Sequence, residues 1–458
     1  LNQHHCSILF LESLVDKTKI QQEVIRPLLE NEQIIDLKQI ITSPHIQSVS
    51  NLRVVIESLL RGDCVIFVEG SSVAYLVHVA TTHTRSITEP ENEGVVRGSH
   101  SGFIENLSVN LYEIRNRLES PHLVVKFITL GKETNTKIAM VYVDNLANPD
   151  LIREIEKRLL SISADAIILP GFIAECIEDH SFSPFPQVLF TERSDRTVSN
   201  LMEGRVAILA EGDPTAIILP VTLFAFYQTP DDYHSRWIVG SFIRLIRWSS
   251  FLIAFQLPAL YISIVSFHPE VLPIDLIYTV KSSIERVPFP PILEAILMEL
   301  AFEVIREAGI RLPSRVGQTI GIVGGLVIGD AVVRAGLVSF PMIIVVALTA
   351  IASFVVPSHE MSTAIRILRF PLMLLAAMFG FIGMAIGSMW ILMHLCKLEA
   401  FGTPYLAPLM PLRIKDLKDT FVRFPVWKLN ERPHDPHPQR MKQENYSREW
   451  NKDDSSKE

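Results

Sequence analysis

Between Trp248 and Phe267 the chain reads WSSFLIAFQLPALYISIVSF, twenty residues without a charge. That is the length a helix needs to cross a hydrocarbon core of about 30 Å. Up to Arg247 the pattern is that of a soluble α/β protein; from Trp248 to Cys396 it is that of a membrane protein. The averages over 458 residues, 48% hydrophobic and 20% charged, conceal this split. The expected fold class is an α+β cytosolic head of two small subdomains followed by an all-α transmembrane helical bundle.

Several function classes drop out early. A net charge of −8 gives no general basic footprint for nucleic acid. The four cysteines, Cys6, Cys64, Cys176 and Cys396, show no CxxC spacing. They argue against a zinc site or a disulfide framework and fit a reducing compartment. Gly94 and Gly98 lack the following Lys-Ser/Thr of a phosphate loop, and no GxGxxG follows a strand. His78, His83, His100 and His122 do not sit at metal-ligand spacing. No nucleophile, base and orienting group come together, so no catalytic residue, metal or cofactor is assigned and the chain is not expected to be an enzyme.

In the head, residues 1–60 carry apolar residues at three- and four-residue spacing and predict helices. CVIFVEG (64–70) and VAYLVHVA (73–80) predict two strands turning at Gly70. A helix over 103–119, the strand pair LVVKFITLG and KIAMVYVDN, and a helix from Pro149 follow. A second unit repeats the style, with a helix over 191–203 and strands RVAILAEG and TAIILPV. The expected division is 1–145 and 146–240 for the two subdomains, 241–412 for the transmembrane domain, and 413–458 for an amphipathic segment and disordered tail. With no signal peptide visible, the head is expected in the cytoplasm.

Five apolar segments compete as spans: 248–267, 291–305, 316–333, 336–356 and 371–396. Arg236, Arg244 and Arg247 precede the first, and Lys397, Arg413, Lys415, Lys418 and Arg423 follow the last. Positive charge at both ends places both in the cytoplasm and requires an even number of crossings. The weakest candidate is 291–305, interrupted by Glu294, Glu299 and Glu303. Carboxylates at membrane depth are expensive and face a bundle interior or water. Glu299 and Glu303 share a helical face, and with Glu294 they are candidates for an ion pathway, against the plainer reading of an interfacial helix with Glu303–Arg306 pairing. Gly317, Gly321, Gly325 and Gly329 form overlapping GxxxG steps, suited to close helix packing. Ala376, Gly380, Gly383 and Gly387 give the last span a similar face. Residues 398–425 suit a membrane surface, and the composition of 430–458 predicts disorder.

Taken together, VVRG (95–98), SPFPQ (183–187), TERSDR (191–196), EGRVAIL (203–209), PDDY (230–233), LPALYIS (257–263), FPPILEAILME (289–299), RLP (311–313), GQTIGIVGGLVIGDA (317–331) and ALTAIASF (347–354) carry a resemblance. The chain resembles the A subunit of the GerA family of spore germinant receptors of endospore-forming bacteria. It departs from the family's usual pattern at Ser99 and Ser194, where proline is usual. The resemblance implies a subunit of the spore inner membrane acting with a transporter-like B subunit and a lipoprotein C subunit. It implies assembly, as a pentamer, into a nutrient-gated channel for monovalent cations. The head motifs around Arg97, Glu192, Arg193 and Arg196, without catalytic geometry, are then expected at subunit interfaces. The alternative is a non-conducting scaffold or accessory A-subunit homologue. A secondary transporter is disfavoured because no inverted repeat is evident.

Overall fold

The computed structural model describes residues 5–30, 37–41, 43, 46–80, 89–90, 93–95, 97–311 and 329–443. The chain forms two compact units. One draws on residues 1–178, 188–220 and 430–447, the other on 179–187 and 221–429.

The first unit holds two antiparallel sheets. Strands β1 (Cys6–Leu9), β2 (Ile46–Val49), β3 (Asp63–Val68) and β4 (Ala74–His78) lie in the order β1-β3-β4-β2. The β3–β4 pair is the hairpin expected at Gly70, whose φ of +83° suits a turn glycine. Helix α1 (Leu52–Leu60) and the helical run from Lys17 to Glu30 cover this sheet, burying Val55 on one side and Ile20, Val24 and Leu28 on the other. The strands β1 and β2 depart from the helices expected over 1–60. Both are four-residue edge strands whose partners lie far along the chain, so local periodicity carries no trace of them.

The second sheet contains β5 (Leu123–Leu130), β6 (Thr136–Val143), β7 (Leu189–Thr191), β8 (Val206–Ala210) and β9 (Ala216–Leu219), in the order β5-β6-β8-β9-β7. Every residue of β8 and β9 is buried, which is why both read as unbroken apolar runs. The sheet spans the boundary expected near residue 145, because Ile138 to Val141 of β6 pair with Ala210 to Ala207 of β8. Helices α2 (Leu107–Arg117), α3 (Pro149–Ser161), α4 (Pro170–Ile177) and α5 (Ser194–Met202) belong to the same unit. Asn106 and Asn148 cap α2 and α3, and α3 buries Leu151, Ile155 and Leu159, one per turn.

Residues 430–443, expected within a disordered tail, are held on this unit. Gln439 donates to the carbonyls of Asp144 and Ala147 at 2.7 and 2.6 Å. Arg432 donates to Met202 O at 2.6 Å and to Lys442 O at 2.8 Å. These contacts satisfy loop carbonyls, and composition alone is blind to them.

The second unit is helical: α6 (Trp237–Phe267), α7 (Ile274–Ile284), α8 (Pro291–Arg311), α9 (Phe340–Phe354) and α10 (His359–Lys397). By length and composition α6 and α10 are each long and apolar enough to cross a membrane. Helix α10 is two helices joined at Gly380, whose φ of 59° and ψ of −137° are not helical. A Cβ on Gly387 would lie 2.7 Å from Leu372 and 2.9 Å from Leu375. In a straight helix Gly387 and Leu372 would be about 22 Å apart along the axis. The chain therefore doubles back at Gly380, and the single span expected over 371–396 is replaced by two arms. Against the turn, Phe381 stacks on His268 at the end of α6, with ring centroids 4.7 Å apart.

A Cβ at Gly380 would meet Phe267 Cβ at 3.1 Å in a conformation side chains rarely adopt. Gly380→Ala is expected to cost about 1–3 kcal/mol. Gly309→Ala in α8, where a Cβ meets open space, is the control. Thermal unfolding of the full chain in detergent checks this; equal midpoints for the two variants would remove the claim.

Candidate functional site: buried charge among α8, α9 and α10

Helix α8 carries Glu294, Glu299 and Glu303, and the described part of the helical unit supplies a partner to each. Glu294 is fully buried and accepts from the backbone N–H of Ser339 at 2.8 Å, where α9 begins. Glu299, also buried, accepts from Arg369 Nη1 of α10 at 2.6 Å. Glu303 accepts from Arg366 Nη1 at 2.5 Å and lies 3.8 Å from both Arg369 and Arg306. Arg306 donates to Ser353 Oγ of α9 at 2.8 Å and lies over the Phe354 ring at 4.5 Å. The expected Glu303–Arg306 proximity is present, but the shorter bond goes to Arg366.

Two carboxylates, Glu299 and Glu303, thus meet three guanidinium groups, while Glu294 is held by a backbone N–H, in a unit whose outward faces are apolar. Burying unpaired charge costs several kcal/mol per ion, so these pairs require one another. The pairing is incomplete on both sides: the acceptors Oε1 of Glu294 and Oε1 of Glu299, and the donors Nε of Arg306 and Nε of Arg369, are buried without a protein hydrogen-bond partner. Arg366 and Arg369 were not singled out from sequence. Their signal is two arginines three residues apart, on one helical face, at the mouth of an apolar run.

A second knot lies at the start of α6. Asp232, from PDDY, is 1% exposed. It accepts from Arg247 Nη1 at 2.7 and 2.9 Å and from Arg244 Nε at 3.2 Å. Arg244 also donates to Asp419 Oδ1 at 2.8 Å, and Arg423 donates to Asp232 O at 2.7 Å. Burial pushes the Asp419 carboxyl up, opposed by Arg244 and by the Tyr233 hydroxyl. Trp248 stacks on Tyr227 beside it at 4.3 Å. Arg244 and Arg247, expected as membrane-flanking charge, are here buried counter-ions.

The head motifs also fold inward. Arg193 is fully buried and holds Asp195 bidentately at 3.0 and 2.7 Å, with Ser99 O at 2.9 Å and Glu93 O at 3.2 Å. Arg196 binds Glu93, and Glu192 N donates to Glu93 Oε2 at 3.0 Å. These bonds tie the loop around residues 93–103 to the start of α5 within one chain. Arg97 is exposed. Ser99, where proline is usual, accepts from Arg117 Nη2 at 2.6 Å, a bond proline cannot make. Ser194 opens α5 and leaves its hydroxyl buried without a partner. At a first helical position proline fits as well, so the proline that the resemblance implies here would be accommodated.

Gly317, Gly321 and Gly325 lie outside the described residues; Gly329 begins a short helix to Arg334. Among the described residues no group of three or more His, Cys, Asp and Glu could hold a metal ion. Burial, with Asp63 adding to it, pushes the Cys64 thiol up to about 12, so it is no nucleophile at neutral pH.

An α+β unit, and a helical unit of apolar helices pinned by buried ion pairs, define the class. Residues 1–435 match the family described as Bacillus/Clostridium GerA spore germination protein, and the chain belongs to that family. Spore germination protein B1 of Bacillus subtilis is 41% identical over 432 residues, 93% of this chain and 89% of the relative. Spore germination protein A1 of the same organism is 40% identical, covering 91% and 87%. Membrane protein YfkQ, also of Bacillus subtilis, is 39% identical, covering 93% and 84%. Among solved structures, the N-terminal domain of the A subunit of the Bacillus megaterium spore germinant receptor GerK3 is 28% identical. It covers 47% of this chain and 82% of that domain, with a TM-score of 0.37.

Proposed function

We propose that this chain is the A subunit of a germinant receptor, embedded in the spore inner membrane, that assembles into a nutrient-gated channel for monovalent cations. Its partners are further copies of itself, as a pentamer, and transporter-like B and lipoprotein C subunits. The head motif around exposed Arg97 is a surface for such contacts. The glycine series from Gly317 to Gly329 packs helices. Membrane embedding is supported by the apolar outward face of helix α9. Phe340, Ile344, Leu348, Ile351 and Phe354 are exposed, while the buried face holds Thr349 and Ser353 among Met342, Val346 and Ala352. In water this arrangement is unfavourable; in lipid it removes the polar groups from hydrocarbon.

The observation that carries the channel reading is the pair of orphaned carboxylate oxygens on Glu294 and Glu299. A buried acceptor without a donor demands an explanation, and a passing cation or its water supplies one. Repeated around an oligomer, one carboxylate per subunit becomes a ring that favours cations. Glu294→Gln keeps the bond from Ser339 and removes the charge. Potassium release from spores carrying the variant, challenged with a mixture of amino acids, sugars and nucleosides, is expected to fall roughly tenfold at unchanged membrane level. Wild-type release by Glu294→Gln, with Glu299→Gln equally silent, would leave the carboxylates structural. The second reading, a non-conducting scaffold, has its own support in the matching of carboxylates and arginines across α8 and α10, which serves rigidity as well as gating.

A further inference from the structure

We infer that Arg366 and Arg369 are the residues that hold the ion route shut, by occupying the carboxylates a cation would otherwise meet. This rests on the channel reading above and names the regulation of the same site.

Glu299 and Glu303 stand one turn apart on α8. Arg366 and Arg369 stand one turn apart on the first arm of α10. The two pairs face each other, with bonds of 2.6 Å for Glu299–Arg369 and 2.5 Å for Glu303–Arg366 and a cross-contact of 3.8 Å for Glu303–Arg369. In this state the carboxylates present no net charge, and a cation gains nothing by approaching. Arginine serves this purpose better than lysine because it does not lose its proton when buried. Separating α8 from α10 uncovers two carboxylates per chain, with Arg306 of α8 the counter-ion left near Glu303, at 3.8 Å. The separation also strands two guanidinium groups, so each bond resists opening and the closed state is the default.

The helices differ in how firmly they are held elsewhere. The first arm of α10 ends in the Gly380 turn, packed on Phe267 and His268. Helix α8 is fixed to α9 at Glu294–Ser339 and at Arg306–Ser353. The arginine contacts with Glu299 and Glu303 are ion pairs across the seam between α8 and α10. A shift of about one helical turn along that seam would exchange every partner at once, and packed helices move in such discrete steps.

The test uses the full chain with its partner subunits, in spores that lack other germinant receptors, with potassium release as the readout. Arg369→Gln is expected to raise release without nutrient at least about tenfold, since it removes the counter-ion of a buried carboxylate. Arg366→Gln is expected to act in the same direction and less strongly, because Glu303 is a quarter exposed, at 26%. If Arg369→Gln fails to accumulate in the membrane, Arg366→Gln alone decides the outcome, because it leaves no fully buried charge. Both variants at wild-type level and at wild-type basal release, in spores where the wild type responds to nutrient, would overturn the inference and leave the channel reading standing. A wild type that releases no potassium on nutrient challenge overturns the channel reading and this inference with it.

Discussion

Asp232→Ala is expected to lower the stability of the helical unit by about 3–5 kcal/mol, the scale for removing one partner of a buried ion pair. The chain should then be nearly absent from membranes. The reason is local. Asp232 compensates Arg247 through two bonds and Arg244 through one, and all three side chains are nine-tenths buried or more. Arg244 keeps Asp419, and Arg247 keeps Thr229 and the Tyr227 carbonyl, so the loss is large without being total. Asp232→Asn retains shape and part of the hydrogen bonding and is expected to fall between alanine and wild type. Thermal unfolding of the full chain in detergent, together with membrane yield, measures both. An alanine variant with an unchanged midpoint would show that the knot contributes nothing net.

Arg193→Glu should be as severe, for a different reason. The site holds a fully buried guanidinium against Asp195, with the Ser99 and Glu93 carbonyls on its remaining donors. Reversal places like charges together away from water and frees two carbonyls, again about 3–5 kcal/mol. The exposed position Arg97 gives the contrast: Arg97→Glu is expected to leave stability within about 0.5 kcal/mol. If the head motif is a contact between subunits, Arg97→Glu lowers oligomer formation in detergent while the midpoint holds. Should Arg193→Glu fold normally and only the oligomer be lost, Arg193 acts between subunits and its burial in one chain is not the working state.

Composition and periodicity determined a good deal of this protein without help from tertiary structure. The uncharged run 248–267 can only be buried in a core or in lipid, and it forms the C-terminal part of α6, to its last residue. Hairpins β3–β4 and β5–β6 and the pair β8–β9 were legible because each joins neighbouring apolar runs across a short turn. Pro149 marked the start of α3, since proline suits a first helical position, and Asn148 caps it. The carboxylates of α8 stood out because charge in an apolar segment is costly wherever it lies.

Tertiary structure decided who neutralises whom. Glu299 and Arg369 are 70 residues apart, and Glu303 and Arg366 are 63 apart. An ion pair leaves no mark on the residues between its ends, so sequence showed carboxylates without their distant partners where the fold pairs Glu299 with Arg369 and Glu303 with Arg366. The same holds for Arg244 with Asp419, for Arg423 with the Asp232 carbonyl, for Arg193 with the carbonyls of Glu93 and Ser99, and for edge strand β1 on β3. Gly380 is the limiting case. In sequence it sits in a row of small residues that spells a packing face, and only its φ of 59° shows that the chain turns there. A glycine's conformation is set by what packs around it, because its own side chain sets nothing.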